Sequence, residues 1–455
     1  MPFLPRLKRA TTGDAATPLV FVGNFEVEDR WAEGEPGLPR YAFGTSAAMV
    51  HRMDEFALLL AGGGDAVVLK AAPDPDHLDD LARLGLDLPR VLAAGDGDPA
   101  RVVTADALAD PVLLGRLRAL APSGARLLPH GVSALEEQLA EATGLEIAGS
   151  PAAVCKAVNS KIYSRRLADR LGLRQPDGWT CTTLQEWRAA AGSARALLAA
   201  GRTVVVKDAF GVSGKGIMTV RDEPMLLRLD RKLHERAERR GDDRLTLVVE
   251  TWVGKRADLN YQVTVGRDGT PRFDFVKEAL TANGVHKGHR MPARLDAAQL
   301  VEVRAAAEAI GAALAADGYH GVAGVDALVG DDERLFPVIE INARSNMSTY
   351  QVRLQEACVP DGGAALARQY PLRLGRPVSY AELRGAIADL LPARAGGSGA
   401  IVNNFATVNA AAGEGGKPFD GRLYALLVAG TAAEAEAIDE ELTRRLAGLA
   451  ERTTT

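Results

Sequence analysis

The chain has 455 residues, 47% apolar and 25% charged, with a net charge of −5; that length exceeds one ordinary domain and suits three. No apolar run approaches the roughly 18 residues of a membrane helix, and no overall basic excess is present to attract nucleic acid. The start, MPFLPRLKRATTGD, lacks the apolar stretch of a secretory signal, and Cys155, Cys181 and Cys358 are far apart without a CxxC pair, so a disulfide framework or zinc site is not expected and a reducing cytoplasm fits.

Residues 18–23 (PLVFVG) predict a buried strand and 46–60 (SAAMVHRMDEFALLL) an amphipathic helix. AVVLK at 66–70 is a second strand, and 76–84 a second helix. This alternation implies a mostly parallel sheet with crossovers, and the small α/β unit is expected to fill residues 1–150. From 151 to about 200 the pattern is helical, with GLRQPDGW (172–179) as a break. TVVVKDAFGVSGKGIMTV (203–220) reads as strand, glycine-rich loop and strand, and LTLVVE (245–250) as a third strand. YQVTV (261–265) and PRFDFV (271–276) form a hairpin around RDG, and an Ala-rich helix covers 296–316. GVAGVDALV (321–329) and RLFPVIEIN (334–342) are strands parted by GDDE. These make a middle domain of 151–392 with a lid at about 200–255. AGGSGA from 395 marks a linker, so 393–455 is expected as a small α/β cap. In it, 421–430 is a strand, and the helix after it presents Ile438, Leu442, Leu446 and Leu449 on one face.

Only 11 of the 54 basic residues are lysine. In a chain so biased toward arginine, each lysine carries more information than usual. Lys161, Lys207 and Lys215 stand out. Gly211, Gly214 and Gly216 let backbone N–H groups approach phosphate oxygens. The loop is not a Walker A motif, because Ala209 and Gly216 stand where that pattern needs Gly and Ser/Thr. A strand follows it rather than a helix, so it resembles a lid hairpin over a nucleotide. Lys207 closes the preceding strand, within reach of an α- or β-phosphate. A flexible surface hairpin is the alternative.

In LFPVIEIN, strand alternation puts Glu340 and Asn342 on one face and Ile339 and Ile341 on the other. Asp326 lies in the neighbouring strand. Two carboxylates and an amide oxygen make a compact oxygen set of the kind Mg²⁺ takes together with nucleotide phosphates. An ion-paired sheet face is the alternative. Arg344, two residues on, could bind a phosphate or carboxylate bidentately, or form a structural ion pair. In VVETWVGKRAD, backbone groups near Trp252 and Val253 could read an adenine edge, with Glu250 and Asp258 beside them; Trp252 is otherwise a core residue. In ANGVHKGHRMP (282–292), His286, Lys287, His289 and Arg290 crowd a glycine-containing loop. That loop is read either as solvated or as an anion-binding lid for a carboxylate substrate or the γ-phosphate.

Taken in order, Lys161 in NSKIYSRRLADRLGL, Lys207, GVSGKG, ETWVGKRAD, GVAGVDALV and VIEINARSNMS resemble the ATP-grasp superfamily over roughly 151–355. The flanks PLVFVGNFEVEDRW, MVHRMDEFALLLAGGGDAVVL and GRLYALLVAG resemble pheganomycin-type peptide ligases. The resemblance implies an ATP-grasp fold, with two α+β subdomains sandwiching ATP behind an N-terminal α/β pre-ATP-grasp domain. It implies that Lys161, Lys207 and the loop residues Gly211, Ser213, Gly214, Lys215 and Gly216 bind ATP phosphates. Glu250, Trp252, Val253, Asp258 and Ile339 would take the adenosine, and Lys277 the γ-phosphate. Asp326, Glu340 and Asn342 would hold Mg²⁺ or Mn²⁺. Gly324 stands where D-alanine ligases carry an arginine two residues before the metal-binding Asp, so Arg344 or Arg290, with His289 nearby, is expected at the reacting centre. The implied partners are a small-molecule carboxylate and an amine or peptide. No nucleic acid or membrane partner is implied, and a homodimer is left open. An ATP-grasp kinase, a carboxylase and a non-catalytic nucleotide binder are the alternatives.

Overall fold

The computed structural model describes residues 1–38, 47–95, 98–211, 216–282, 285–413 and 417–454. Strands β1 (Leu19–Val22), β2 (Ala66–Leu69), β3 (Arg90–Ala93) and β4 (Arg126–Pro129) form a sheet of order β3-β2-β1-β4. Its pairings are all parallel, as expected. Both faces are covered, which is why VFV and AVVL are continuous apolar runs. Helix Ala134–Thr143 is held by a capping box between Ser133 and Glu136.

The expected amphipathic helix at 46–60 becomes a short helix, Ala47–His51, followed by a 3-10 run, Arg52–Leu59. Asp54 through Leu59 are buried throughout, so no polar face remains. The run is enclosed on all sides, and its carboxylates find backbone donors: Lys70 N–H for Asp54 and Phe405 N–H for Glu55.

Strands β5 (Gly178–Thr183), β6 (Val204–Asp208), β7 (Ile217–Val220) and β8 (Arg244–Thr251) form a small antiparallel sheet of order β5-β8-β6-β7. The sequence reading took 151–200 as helical and so missed β5. Helices Leu184–Ala199 and Glu223–Arg240 close one face of this sheet over fully buried Trp187, whose indole N–H donates to Asp230 at 2.7 Å.

The largest sheet contains β9 (Lys255–Val265), β10 (Pro271–Ala282), β11 (Val285–Met291), β12 (Gly321–Gly330), β13 (Leu335–Asn342), β14 (Ala364–Leu374), β15 (Gly399–Asn404) and β16 (Phe419–Ala429). Its order is β13-β12-β9-β10-β11-β14-β16-β15. Residues after 393 therefore continue this sheet through β16 rather than beginning another. One face is apolar: Leu259, Tyr261 and Val263 pack on helix Ala297–Ala316, and Ala425 and Leu427 pack on helix Ala432–Thr454. Leu442, Leu446 and Leu449 of that last helix are buried in the contact, with Ile438 packed beside them. On the other face, Ala367, Leu426 and Val428 meet Phe21 and Phe56 of the N-terminal unit, while the β12–β10 half stays polar. That polar half carries the site.

Candidate active site

In β12–β13 pairing, Asp326 lies opposite Glu340 and Gly324 opposite Asn342. β9 places Asn260 opposite Asp326, and β10 places Lys277 opposite Asn260. Directly opposed residues of antiparallel strands share a face. Glu340, Asp326, Asn260 and Lys277 thus form one row across four strands. Alternation in DLNYQVT puts Asp258, Asn260, Gln262 and Thr264 on that same face. This period-two run of polar residues in an otherwise apolar strand could have revealed Asn260 from sequence.

Asp326 Oδ1 accepts from Asn260 Nδ2 at 2.8 Å, and Oδ2 from Asn342 Nδ2 at 3.1 Å. Burial, and then the charge of Glu340, push the Asp326 carboxyl up to about 6. A divalent cation would relieve that opposition. No group of three His, Cys, Asp or Glu able to hold a metal occurs among the described residues. The donors present are two carboxylates and one amide, so phosphates and waters would have to complete the shell, as Mg²⁺ commonly requires. The residues fit Mg²⁺.

β13 is an edge strand, and its outer N–H groups are capped from the side. Ile341 N–H donates to Ser164 Oγ, and Ala343 N–H to Asn159 Oδ1, both at 2.9 Å. This docks helix Lys161–Leu171 along the strand and sets Lys161 at its first turn. Lys161 Nζ lies 2.6 Å from both Glu340 Oε1 and the Gly211 carbonyl. Across the cleft, Lys207 Nζ makes a short bond to Glu250 Oε1, and Arg165 Nη1 approaches Glu250 Oε2 at 3.5 Å. Lys161, Lys207, Val248, Glu250 and Ile339 line a cavity here of about 10 Å³, room for about one water. A cavity of that size is far too small for a nucleotide.

The remaining expected residues are placed less uniformly. Ser213, Gly214 and Lys215 lie outside the described residues. Gly216 has φ 79° and abuts Asp208, where a Cβ would stand 2.6 Å from Oδ2. Trp252 is 47% exposed, not core, and its backbone N–H is committed to the Thr203 carbonyl at 2.9 Å. Adenine therefore cannot be read through that N–H. Val253 follows it in the crossing to β9, half-buried. Asp258 shares the cleft face but is engaged by Lys255 (2.7 and 2.6 Å) and Thr281 (2.6 Å).

The expected loop at 282–292 is instead largely strand β11. Its register separates two neighbours: His289 pairs with Ala279, and Arg290 with Glu278. His289 is buried on the polar face beside Gln351. Arg290 points to the opposite face and bonds Glu436 of the C-terminal helix at 2.7 Å. A loop carries no such alternation, and Arg290 faces away from the Glu340–Asp326–Asn260–Lys277 row.

Arg344 stays there. Nη2 bonds Glu28 (2.9 Å) and Asn342 Oδ1 (3.2 Å), and Nη1 bonds the Ser345 carbonyl at 2.9 Å. Its buried Nε has no hydrogen-bond partner among the described residues. Above Gly324, a Cβ would stand 2.1 Å from Asn346 Nδ2, so Asn346 fills the space an arginine would need. Glu28 comes from the N-terminal unit and carried no sequence signal. Nor did His130, at the C-terminal end of β4, whose Nδ1 meets Tyr350 Oη at 2.9 Å. Phe25 stacks on His130 at 4.3 Å. Burial, then the charge of Arg344, hold His130 well below the usual imidazole range. Ligands of open parallel sheets bind at such carboxyl ends.

A family model, the Pre ATP-grasp domain, matches residues 53–145. The fold is similar to N5-carboxyaminoimidazole ribonucleotide synthetase from Thermus thermophilus, with TM-score 0.52 and 14% identity, covering 94% of this chain and 98% of that one. It is similar to biotin carboxylase from Campylobacter jejuni, solved as a beta-gamma-ATP complex, with TM-score 0.50 and 14% identity, covering 92% and 89%. The chain has the ATP-grasp fold. The chain is also 24% identical over 324 residues, 71% of each chain, to the "[Butirosin acyl-carrier protein]--L-glutamate ligase" of Niallia circulans. Among the described residues, no helix is long and apolar enough to cross a membrane.

Proposed function

We propose that this chain is an ADP-forming ligase of the ATP-grasp kind that joins a carboxylate to an amine through an acyl phosphate. The chain is an enzyme of the C–N bond-forming kind. Its substrates in this reading are an amino-acid-like carboxylate and the N-terminus of a peptide or amino acid, in cytoplasmic natural-product synthesis. One observation carries it: Asp326 and Glu340 are opposed across β12 and β13, Glu340 bonds Lys161, and Arg344, whose Nε–H is unpartnered among the described residues, bonds Asn342 beside them. The relative, named for joining L-glutamate to an acyl-carrier protein, supports an amino-acid substrate.

Asp326, Glu340 and Asn342 would hold Mg²⁺, which neutralises charge developing on the phosphates. Lys161 and Lys207 exchange their carboxylate partners for phosphate oxygens and fix the nucleotide in line with the substrate carboxylate. That carboxylate attacks the γ-phosphorus and ADP leaves. The amine then attacks the acyl carbon, phosphate departs, and Arg344 stabilises the oxyanion. The lid sheet, closing over the cleft, keeps water from the intermediate.

The test is incubation with ATP, Mg²⁺, hydroxylamine and a panel of amino acids, with ADP, phosphate and hydroxamate measured. Hydroxamate and phosphate appearing only with particular acids are expected. ADP with neither would replace the reading with a kinase, and bound nucleotide without turnover on the panel would favour a binding protein.

A further inference from the structure

Lys277 ends the Glu340–Asp326–Asn260–Lys277 row and is 1% exposed. Its Nζ donates to the Ser348 carbonyl at 2.7 Å and to Gln351 Oε1 at 3.2 Å. No carboxylate pairs with it among the described residues. Around it, β9 offers the neutral amide of Asn260, the turn at 348–351 offers Ser348 and Gln351, and β10 offers the Phe275 ring. The titratable groups facing it are His289 and, behind that, His286. Burial holds both imidazoles below their usual range, His286 at about 4, so they supply no counter-charge. Burial alone holds the Lys277 ammonium well below the usual lysine range.

The hydrogen bonds have a direction. Gln351 Oε1 receives from Lys277, so its Nε2 donates to His289 Nδ1 at 3.4 Å. His289 then donates from Nε2 to His286 Nε2 at 3.2 Å. Two carbonyl oxygens thus consume the two N–H bonds of a neutral amine and leave its lone pair. The Phe275 ring centroid lies 4.4 Å from Nζ, a face that steadies an ammonium once formed. Strands about 4.8 Å apart put the Lys277 backbone about 10 Å from that of Asp326, with Asn260 between them.

We propose that Lys277 is the general base of the second half-reaction, taking a proton from the ammonium form of the acceptor. The inference rests on the ligase reading above. R–NH₃⁺ gives its proton to the Nζ lone pair and becomes R–NH₂. The amine nitrogen bonds to the acyl carbon, the C–O bond to phosphate breaks, and phosphate leaves with that electron pair. The remaining extra proton on nitrogen passes to phosphate or solvent. Gln351 is a positioning residue that orients Nζ.

Hydroxylamine tests this, because it is already unprotonated at neutral pH and needs no base. Wild type and Lys277→Met are given ATP, Mg²⁺ and the amino-acid panel as acyl donor. Hydroxylamine or glycinamide serves as acceptor. Lys277→Met should keep hydroxamate formation within about threefold yet lose amide formation by about 100-fold or more. That loss should shrink as pH rises and the free-amine fraction grows. Equal loss of both products would make Lys277 a phosphate ligand and overturn the proposal. Should wild type form neither product, the ligase reading itself fails. The ¹³Cε signals of the 11 lysines then decide, with Lys277 assigned from its absence in the variant. It should titrate well below the rest, and titration together with them would overturn the proposal.

Discussion

Lys161 Nζ lies 2.6 Å from Glu340 Oε1, so the lysine expected to meet phosphate and the carboxylate expected to hold the metal neutralise each other. In the proposed reaction Mg²⁺ and nucleotide would replace that bond. Glu340→Gln keeps the shape and removes the charge. It should lower hydroxamate-forming kcat by about 10²–10³ and abolish Mg²⁺-dependent protection of the fold by ATP. Kinetics and a thermal-shift titration measure the two effects. Unchanged kcat would remove Glu340 from the metal site.

Arg344 binds through a planar fork to Glu28, Asn342 and Ser345. Lysine cannot reproduce that geometry. Arg344→Lys should lower kcat/KM by about 10²-fold, some 2.7 kcal/mol of transition-state stabilisation. Glu28→Gln loosens the arginine without removing it and should cost less. Steady-state rates with varied carboxylate would show the difference.

Arg290 faces the helix Ala432–Thr454 through Glu436. Arg290→Ala should therefore leave kcat within about threefold of wild type and lower stability by about 1 kcal/mol or less, as for other partly exposed pairs. A large loss of activity with an unchanged melting temperature would return Arg290 to the reacting centre.

The strand-borne cluster was legible because alternation constrains it. Glu340 and Asn342 at period two, with Asp326 one strand away, needed only the register to become a site. Lys277 was found through resemblance, but its lack of a counter-ion depends on packing from residues 348–351, which no local pattern encodes. Arg290 and His289 were grouped because GVHKGH looks like a turn. Gly288 instead marks a close approach of two strands: φ is 150°, and a Cβ would lie 1.8 Å from the Ala367 carbonyl. Glu28, His130 and Tyr350 come from segments far apart in the chain, and only the docking of the N-terminal unit gathers them.

That close approach is itself testable. Gly288→Ala must push β11 from β14, at the junction between the polar half of the large sheet and the β14–β16 half. It should cost about 2–4 kcal/mol, read as a lower urea midpoint with an unchanged slope. A neutral result would show that the backbone relaxes there freely.

Glu26 gives the fold a pH dependence whose sign can be worked out. It is buried at the carboxyl end of β1, and its Oε2 has no partner among the described residues. Burial, reinforced by the charges of Glu136 and Asp54, pushes it up to about 8 from 4.5. Between those values the folded chain holds a proton that the unfolded chain has released. Stability from this group is therefore fully present below about 4.5 and is lost as pH rises toward 8. Glu26→Gln mimics the protonated acid and never ionises. Its melting temperature should match wild type near pH 4.5 and exceed it increasingly up to pH 8, by an amount worth up to a few kcal/mol. A difference that does not change with pH would mean that Glu26 is ionised in the folded protein, with a cation from elsewhere in the chain at its side.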